Sequence, residues 1–161
     1  MNRGIIYAIS INPERGQLKK EVPEANLIEN YGIENDGHAG DWGRQVTCLN
    51  WASVQKANEE HNLNVGPGGF AENILIDGMA FSELTVGSRI KLGTNAVLEV
   101  TQIGKEDHPS IVLRTYGISL LPKEGLFCKV IAGGVIKKGD SVEKVRRFIG
   151  RKRVFLPNPC Q

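Results

Sequence analysis

Sulfur chemistry has little to work with in this chain of 161 residues, which holds three cysteines, at positions 48, 128 and 160. They are too few and too scattered for a disulfide framework, and none forms the close pair that a zinc site favours. They read as free thiols. The three histidines, His38, His61 and His108, are spaced too widely in sequence to suggest a metal site. Also missing is any apolar run near the roughly 20 residues that cross a bilayer. The start, Met1-Asn2-Arg3-Gly4-Ile5-Ile6, lacks the apolar core and cleavage site of a signal peptide. The expectation is a soluble, cytoplasmic protein without a membrane partner.

Charge is nearly balanced, at +2, but unevenly placed. Residues 146–161 carry five basic groups (Arg146, Arg147, Arg151, Lys152, Arg153) and no acid, leaving the body 15 basic against 18 acidic residues. With only Phe148 and Phe155 near those charges, the tail reads as a solvated end and not as a nucleic-acid contact. Residues 1–145 are long enough to form one domain around its own core.

Gly4 to Ile11 alternates as a strand buried on both faces, and Asn12 to Gly16 is a turn. Leu18 to Val22 suits a short return strand, and Asn26 to Ile33 reads as extended or irregular. A strand over Arg44 to Leu49 leads to Asn50, a good N-cap for a helix over Trp51 to His61. After Ile74-Leu75-Ile76, the pattern becomes short strands broken by glycine: Ser88 to Leu92, Val97 to Ile103, Leu126 to Ala132 and Ser141 to Val145. Gly104 to Gly125 is the least regular stretch and suits a lid or third wall of a site. This punctuation predicts a mainly β fold, a closed or partly closed β-barrel with one or two peripheral helices.

Two polar, glycine-rich loops abut strands. The first, Asn35 to Val46, holds Gly37, His38, Gly40, Gly43 and Arg44. It is either a turn-rich connection or an anion site, with backbone N–H groups lining a concavity and His38 and Arg44 adding side-chain donors. The second, Val65 to Asn73, holds Gly68 and Gly69, with Glu72 and Asn73 as its reaching polar groups; Phe70 is a core anchor or an aromatic wall. If a thiolate is needed, Cys128 beside Lys129 is the candidate nucleophile.

Three stretches together resemble the MOSC domain, named for the C-terminal domain of molybdenum cofactor sulfurases. They are Asp36-Gly37-His38-Ala39-Gly40 with Arg44-Gln45-Val46, then Pro67 to Ile74, then Pro122-Lys123-Glu124-Gly125-Leu126-Phe127 continuing to Gly133-Gly134 and Gly139-Asp140. The resemblance spans residues 4–145 and implies a pyruvate-kinase-type barrel in a stand-alone bacterial member. It implies molybdenum cofactor (molybdopterin) bound by His38, Arg44, Gly40, Gly68, Gly69, Glu72 and Asn73, or sulfur carried for metal–sulfur maturation. Other implied roles are reduction of N-hydroxylated compounds, or binding of a small anion or partner without catalysis. The implied partners are a pyridoxal-phosphate-dependent cysteine desulfurase or proteins of cofactor synthesis; the pyridoxal phosphate belongs to the partner, and no site for it is seen in this chain. Many relatives place cysteines ahead of the Pro-Lys-Glu-Gly motif, where this chain has Asp107, Ser110 and Ser119.

Overall fold

A computed structural model describes residues 2–146; the remaining tail, to which the basic segment belongs, lies outside the described residues. The strands are β1 (Arg3–Ile11), β2 (Lys20–Val22), β3 (Glu24–Ile28), β4 (Gly32–Ile33), β5 (Val46–Asn50), β6 (Ile74–Asp77), β7 (Arg89–Leu92), β8 (Ala96–Ile103), β9 (Leu126–Ala132), β10 (Gly134–Lys137) and β11 (Ser141–Lys144). Seven of them close a barrel in the order β1-β11-β7-β8-β9-β5-β6, and β2 pairs with the far end of β1. Closure leaves the barrel strands without an open edge.

Every barrel neighbour is antiparallel except β5 and β6. A parallel pair needs a crossover, and helix α1 (Trp51–His61) supplies it. The Asn50 side chain accepts from Ala52 N at its start, and Asn62 ends it in the left-handed conformation.

Alternation sorts the side chains. On β8, Ala96, Leu98 and Val100 are buried, whereas Val97, Glu99 and Thr101 are less so. The inward set joins Ile6, Ile9, Val46, Cys48, Ile74, Ile76, Leu126, Cys128 and Val130 in one cluster inside the barrel. A second cluster forms on the outer wall, where Ala8, Leu49, Leu75 and Phe127 meet Val54 and Ala57 of α1 and Val65 and Phe70 of the following loop.

Two departures from the sequence reading stand out. Asn26 to Ile33 contains the end of β3 and all of β4, which with β10 form a small sheet whose Leu27, Ile33 and Ile136 add to the interior cluster. Gly104 to Gly125 contains two helices, α2 (Ile111–Tyr116) and α3 (Leu121–Glu124), so the helices number three among the described residues. Each is shorter than two turns, too short for a helical period to register in sequence. Among the described residues no helix is long and apolar enough to cross a membrane.

Candidate functional site

Buried polar residues report where a fold departs from simple packing. Here Ser10, Lys19, Asp36, Gln45, Thr47, Glu72 and Asn73 are buried, and all belong to β1, the chain after it, β5, or the two glycine-rich loops. They form one polar seam on the outer wall of the barrel.

Lys19 ties the seam together. Its main-chain N donates to Gly68 O at 3.0 Å, anchoring the second loop. Its ammonium donates to Asp36 Oδ1 at 2.8 Å in the first loop and lies 3.1 Å from His38 Nδ1. Asp36 is fully satisfied: Oδ1 also accepts from Asn12 N and Oδ2 from His38 N, each at 3.1 Å. Burying a charge costs little only when it is paired in this way. Gly37 lets the turn after β1 press against the loop, because a Cβ there would stand 2.6 Å from Arg15 N.

Above this base, Trp42 is a hub of cations. Its indole N–H donates to His38 O at 2.8 Å, and its ring lies parallel to the imidazole, with centroids 6.3 Å apart. The Arg15 guanidinium sits 4.5 Å from the Trp42 ring centre and that of Arg44 5.0 Å; Arg44 also lies 5.5 Å from the Phe127 ring. Aromatic faces attract such cations. Lys105, just beyond β8, lies near Arg44, its pKa lowered by burial and then by the Arg44 charge, against Asp107. His38 is depressed from its ordinary 6.5 to about 4, first by burial and then by the Lys19 charge, which outweighs Asp36. Arg15 and Lys105 add to the depression. His38 therefore contributes no charge at neutral pH, and any hydrogen bond it donates comes from the neutral ring.

The second loop plays a different part from the one expected. The Glu72 carboxylate accepts from Gly68 N at 2.7 Å and Phe70 N at 3.1 Å, and Ala71, between Phe70 and Glu72, takes a positive φ of 65°. Burial lifts Glu72 from 4.5 to about 7, against the pull of these N–H groups and Lys19. Asn73 accepts from Thr47 N at 3.0 Å and donates to Ser10 O at 3.1 Å, stitching β5 to β1. Phe70 is an anchor, wholly buried against Tyr116. The amides of Gly68, Gly69 and Gly40 are already spent on Glu72 Oε2, Gly66 O and Tyr31 O. The glycine loops thus shape the seam, and side chains supply its donors. Gly68 itself is required, since a Cβ at its φ of +80° would meet Lys19 O at 2.2 Å.

Cys128 points inside the barrel, fully buried on β9. Contact with the Cys48 thiol, then burial, holds its pKa well above the ordinary thiol value. A neutral, enclosed thiol is a poor nucleophile, so this placement does not favour the catalytic role considered for Cys128. Among the described residues no three His, Cys, Asp or Glu side chains gather as a metal site.

The structure therefore unites His38 and Arg44, and puts Gly40, Gly68, Gly69, Glu72 and Asn73 in the supporting frame. Sequence reasoning missed Arg15, Lys19, Asp36 and Trp42 as participants. A tryptophan inside a glycine-rich polar loop was a usable signal; nothing in the Lys19-Lys20 pair distinguishes the buried lysine from the exposed one.

The model of the MOSC domain matches residues 35–143, more than half of the chain. The chain belongs to the MOSC domain family. Solved structures share the fold. A YuaD protein from Bacillus subtilis superposes with a TM-score of 0.72 at 18% identity, covering 90% of this chain and 97% of its own. YiiM from Geobacillus stearothermophilus gives 0.70 at 19% identity, covering 91% and 77%. YiiM from Escherichia coli gives 0.62 at 22%, covering 89% and 71%. No curated protein matches the chain in sequence. The MOSC family is associated with the molybdenum cofactor. In this MOSC domain the matched stretch contains His38, Trp42, Arg44 and Lys105, while Arg15 and Lys19 come from the chain ahead of it.

Proposed function

We propose that this MOSC domain binds the molybdenum cofactor by its phosphate, at the cationic cluster around Trp42. The supporting observation is the convergence of Arg15 and Arg44 on the Trp42 ring, with Lys105 near Arg44, beside a buried pair in which Asp36 already neutralises Lys19. Three cations without three matching acids favour an anion, and guanidinium forks suit phosphate oxygens.

The donor set fits the phosphate end of the group and not its metal end. Arginine, lysine and histidine side chains gather around Trp42, whereas the described thiols, Cys48 and Cys128, are inside the barrel. When bound, the cofactor supplies a dithiolene-held metal for redox or sulfur chemistry. The protein's own residues hold and orient it: Arg44 and Lys105 on the anion, Trp42 as the apolar floor between the guanidinium groups. Carriage of sulfur on Cys128 has no support in this arrangement.

Titration with isolated cofactor tests the reading. Arg44→Ala should weaken binding by about tenfold, the cost of a charged hydrogen bond; unchanged affinity would remove Arg44 from the site. Assay of the loaded protein with an N-hydroxylated base separates a reductase from a domain that only binds.

A further inference from the structure

Lys19 lies ahead of the matched family stretch, yet its ammonium is the contact that decides what His38 can do. An ammonium has three donors and no acceptor. At 3.1 Å from His38 Nδ1, with Asp36 at 2.8 Å on its other side, it donates to that nitrogen. Nδ1 is thereby the acceptor, and the one proton of the neutral ring sits on Nε2. That atom diverges from the buried pair across the ring, and among the described residues nothing in the protein accepts from it. The half-buried ring stands among the charges of Arg15 and Lys105.

We propose that Lys19 is a positioning residue that locks His38 as a neutral imidazole bearing its proton on Nε2. His38 then donates a directed hydrogen bond to an oxygen of the anionic ligand and is withheld from metal ligation. The idea deepens the anion-binding reading and rests on it for the identity of the acceptor. A protonated histidine would add a fourth charge but no fixed direction. The locked tautomer instead offers a single N–H beside the guanidinium forks, and it selects a ligand that presents an acceptor oxygen there. Metal coordination needs a ring nitrogen with a free lone pair; Nδ1 is engaged by Lys19 and Nε2 is protonated.

The groups that face His38 are Lys19 from the chain before β2, Asp36 from its own loop, Arg15 from the turn after β1 and Lys105 from the segment after β8. Trp42 covers the ring in parallel. Of these, only Asp36 favours the imidazolium, and it is already neutralised by Lys19.

Long-range proton–nitrogen NMR of the 15N-labelled full chain reads the tautomer directly and needs no variant. The expected spectrum shows Nδ1 unprotonated and Nε2 protonated, without change from about pH 8 to about pH 5. An Nδ1–H tautomer, or titration midway through that range, would overturn the proposal. In the paired variant Lys19→Met with Asp36→Asn, which leaves no buried charge unpaired, the ring should sample both tautomers, while its midpoint rises only slightly from about 4 because burial still depresses it and the losses of Lys19 and Asp36 oppose each other. An unchanged spectrum in that variant would assign the locking to something other than Lys19. Inorganic sulfate, added to the unaltered protein, should shift the Nε2 proton resonance and leave Nδ1 in place. A fixed tautomer with no response to sulfate would support the role of Lys19 while counting against the anion-binding reading, so the two failures are distinguishable.

Discussion

Lys19 Nζ and Asp36 Oδ1 stand 2.8 Å apart, with both side chains wholly removed from solvent. This pair joins the chain before β2 to the first glycine-rich loop, while the Lys19 backbone holds the second. Removing one member leaves the other charged and buried. Lys19→Met should therefore cost about 3–5 kcal/mol of stability. Adding Asp36→Asn should recover a large part of that loss, because no uncompensated charge remains. Chemical denaturation of both variants checks this; strictly additive costs would contradict coupling within the pair.

Asn73 and Arg44 separate the frame from the anion-binding cluster. Asn73→Ala strips partners from Thr47 N–H and Ser10 C=O inside the seam, and should destabilise by about 2 kcal/mol or more. Arg44, half-buried over two rings, should cost only about 1 kcal/mol on truncation, yet weaken anion binding by about tenfold. Paired unfolding and binding measurements test this split. Equal losses of both properties in both variants would contradict it.

Glu72 and His38 should tilt stability with pH in opposite directions. Glu72 is raised from 4.5 to about 7, so between those values the folded chain keeps a proton that the unfolded chain has lost. Its contribution is full below about pH 4.5 and disappears as pH rises through about 7. His38 is lowered from 6.5 to about 4, so its contribution is full above about pH 6.5 and is lost as pH falls through about 4. Subtracting the pH profiles of Glu72→Gln and His38→Gln from that of the unaltered protein should give a falling and a rising difference, respectively. Differences of reversed sign would contradict these assignments.

The interior thiols should be dispensable for function. Cys128→Ala and Cys48→Ala each leave a small cavity in the barrel and should lower stability by about 1–2 kcal/mol. Cofactor affinity should be unchanged, and so should sulfur loading from a cysteine desulfurase. Loss of loading in a variant that remains folded would restore a role for the thiol.

Much of this was legible in the sequence because it is local. The alternation of Gly4 to Ile11, the Asn50 cap ahead of Trp51 to His61, and the two glycine-rich loops each carry their signal within a dozen residues. The short elements were not, since β4, with two residues, and α3, with four, are fixed by the neighbours they pack against. His38 and Arg44 could be named because their residue types advertise donors. The protonation of His38 could not be read, because it depends on Lys19, which reaches it across 19 positions of chain. The glycine amides looked available in sequence and are paired in the fold, because a backbone donor buried in a seam finds the nearest acceptor.

The central claim, that the cationic cluster around Trp42 holds the phosphate of the cofactor, is tested most directly on protein isolated from a host that makes the cofactor. Molybdenum content and oxidised-pterin fluorescence should be measured beside an Arg44→Ala/Lys105→Ala variant shown to be folded. The account predicts pterin on the unaltered protein and at least about tenfold less on the variant. Equal pterin on both, or none on the unaltered protein even after incubation with isolated cofactor, would contradict it.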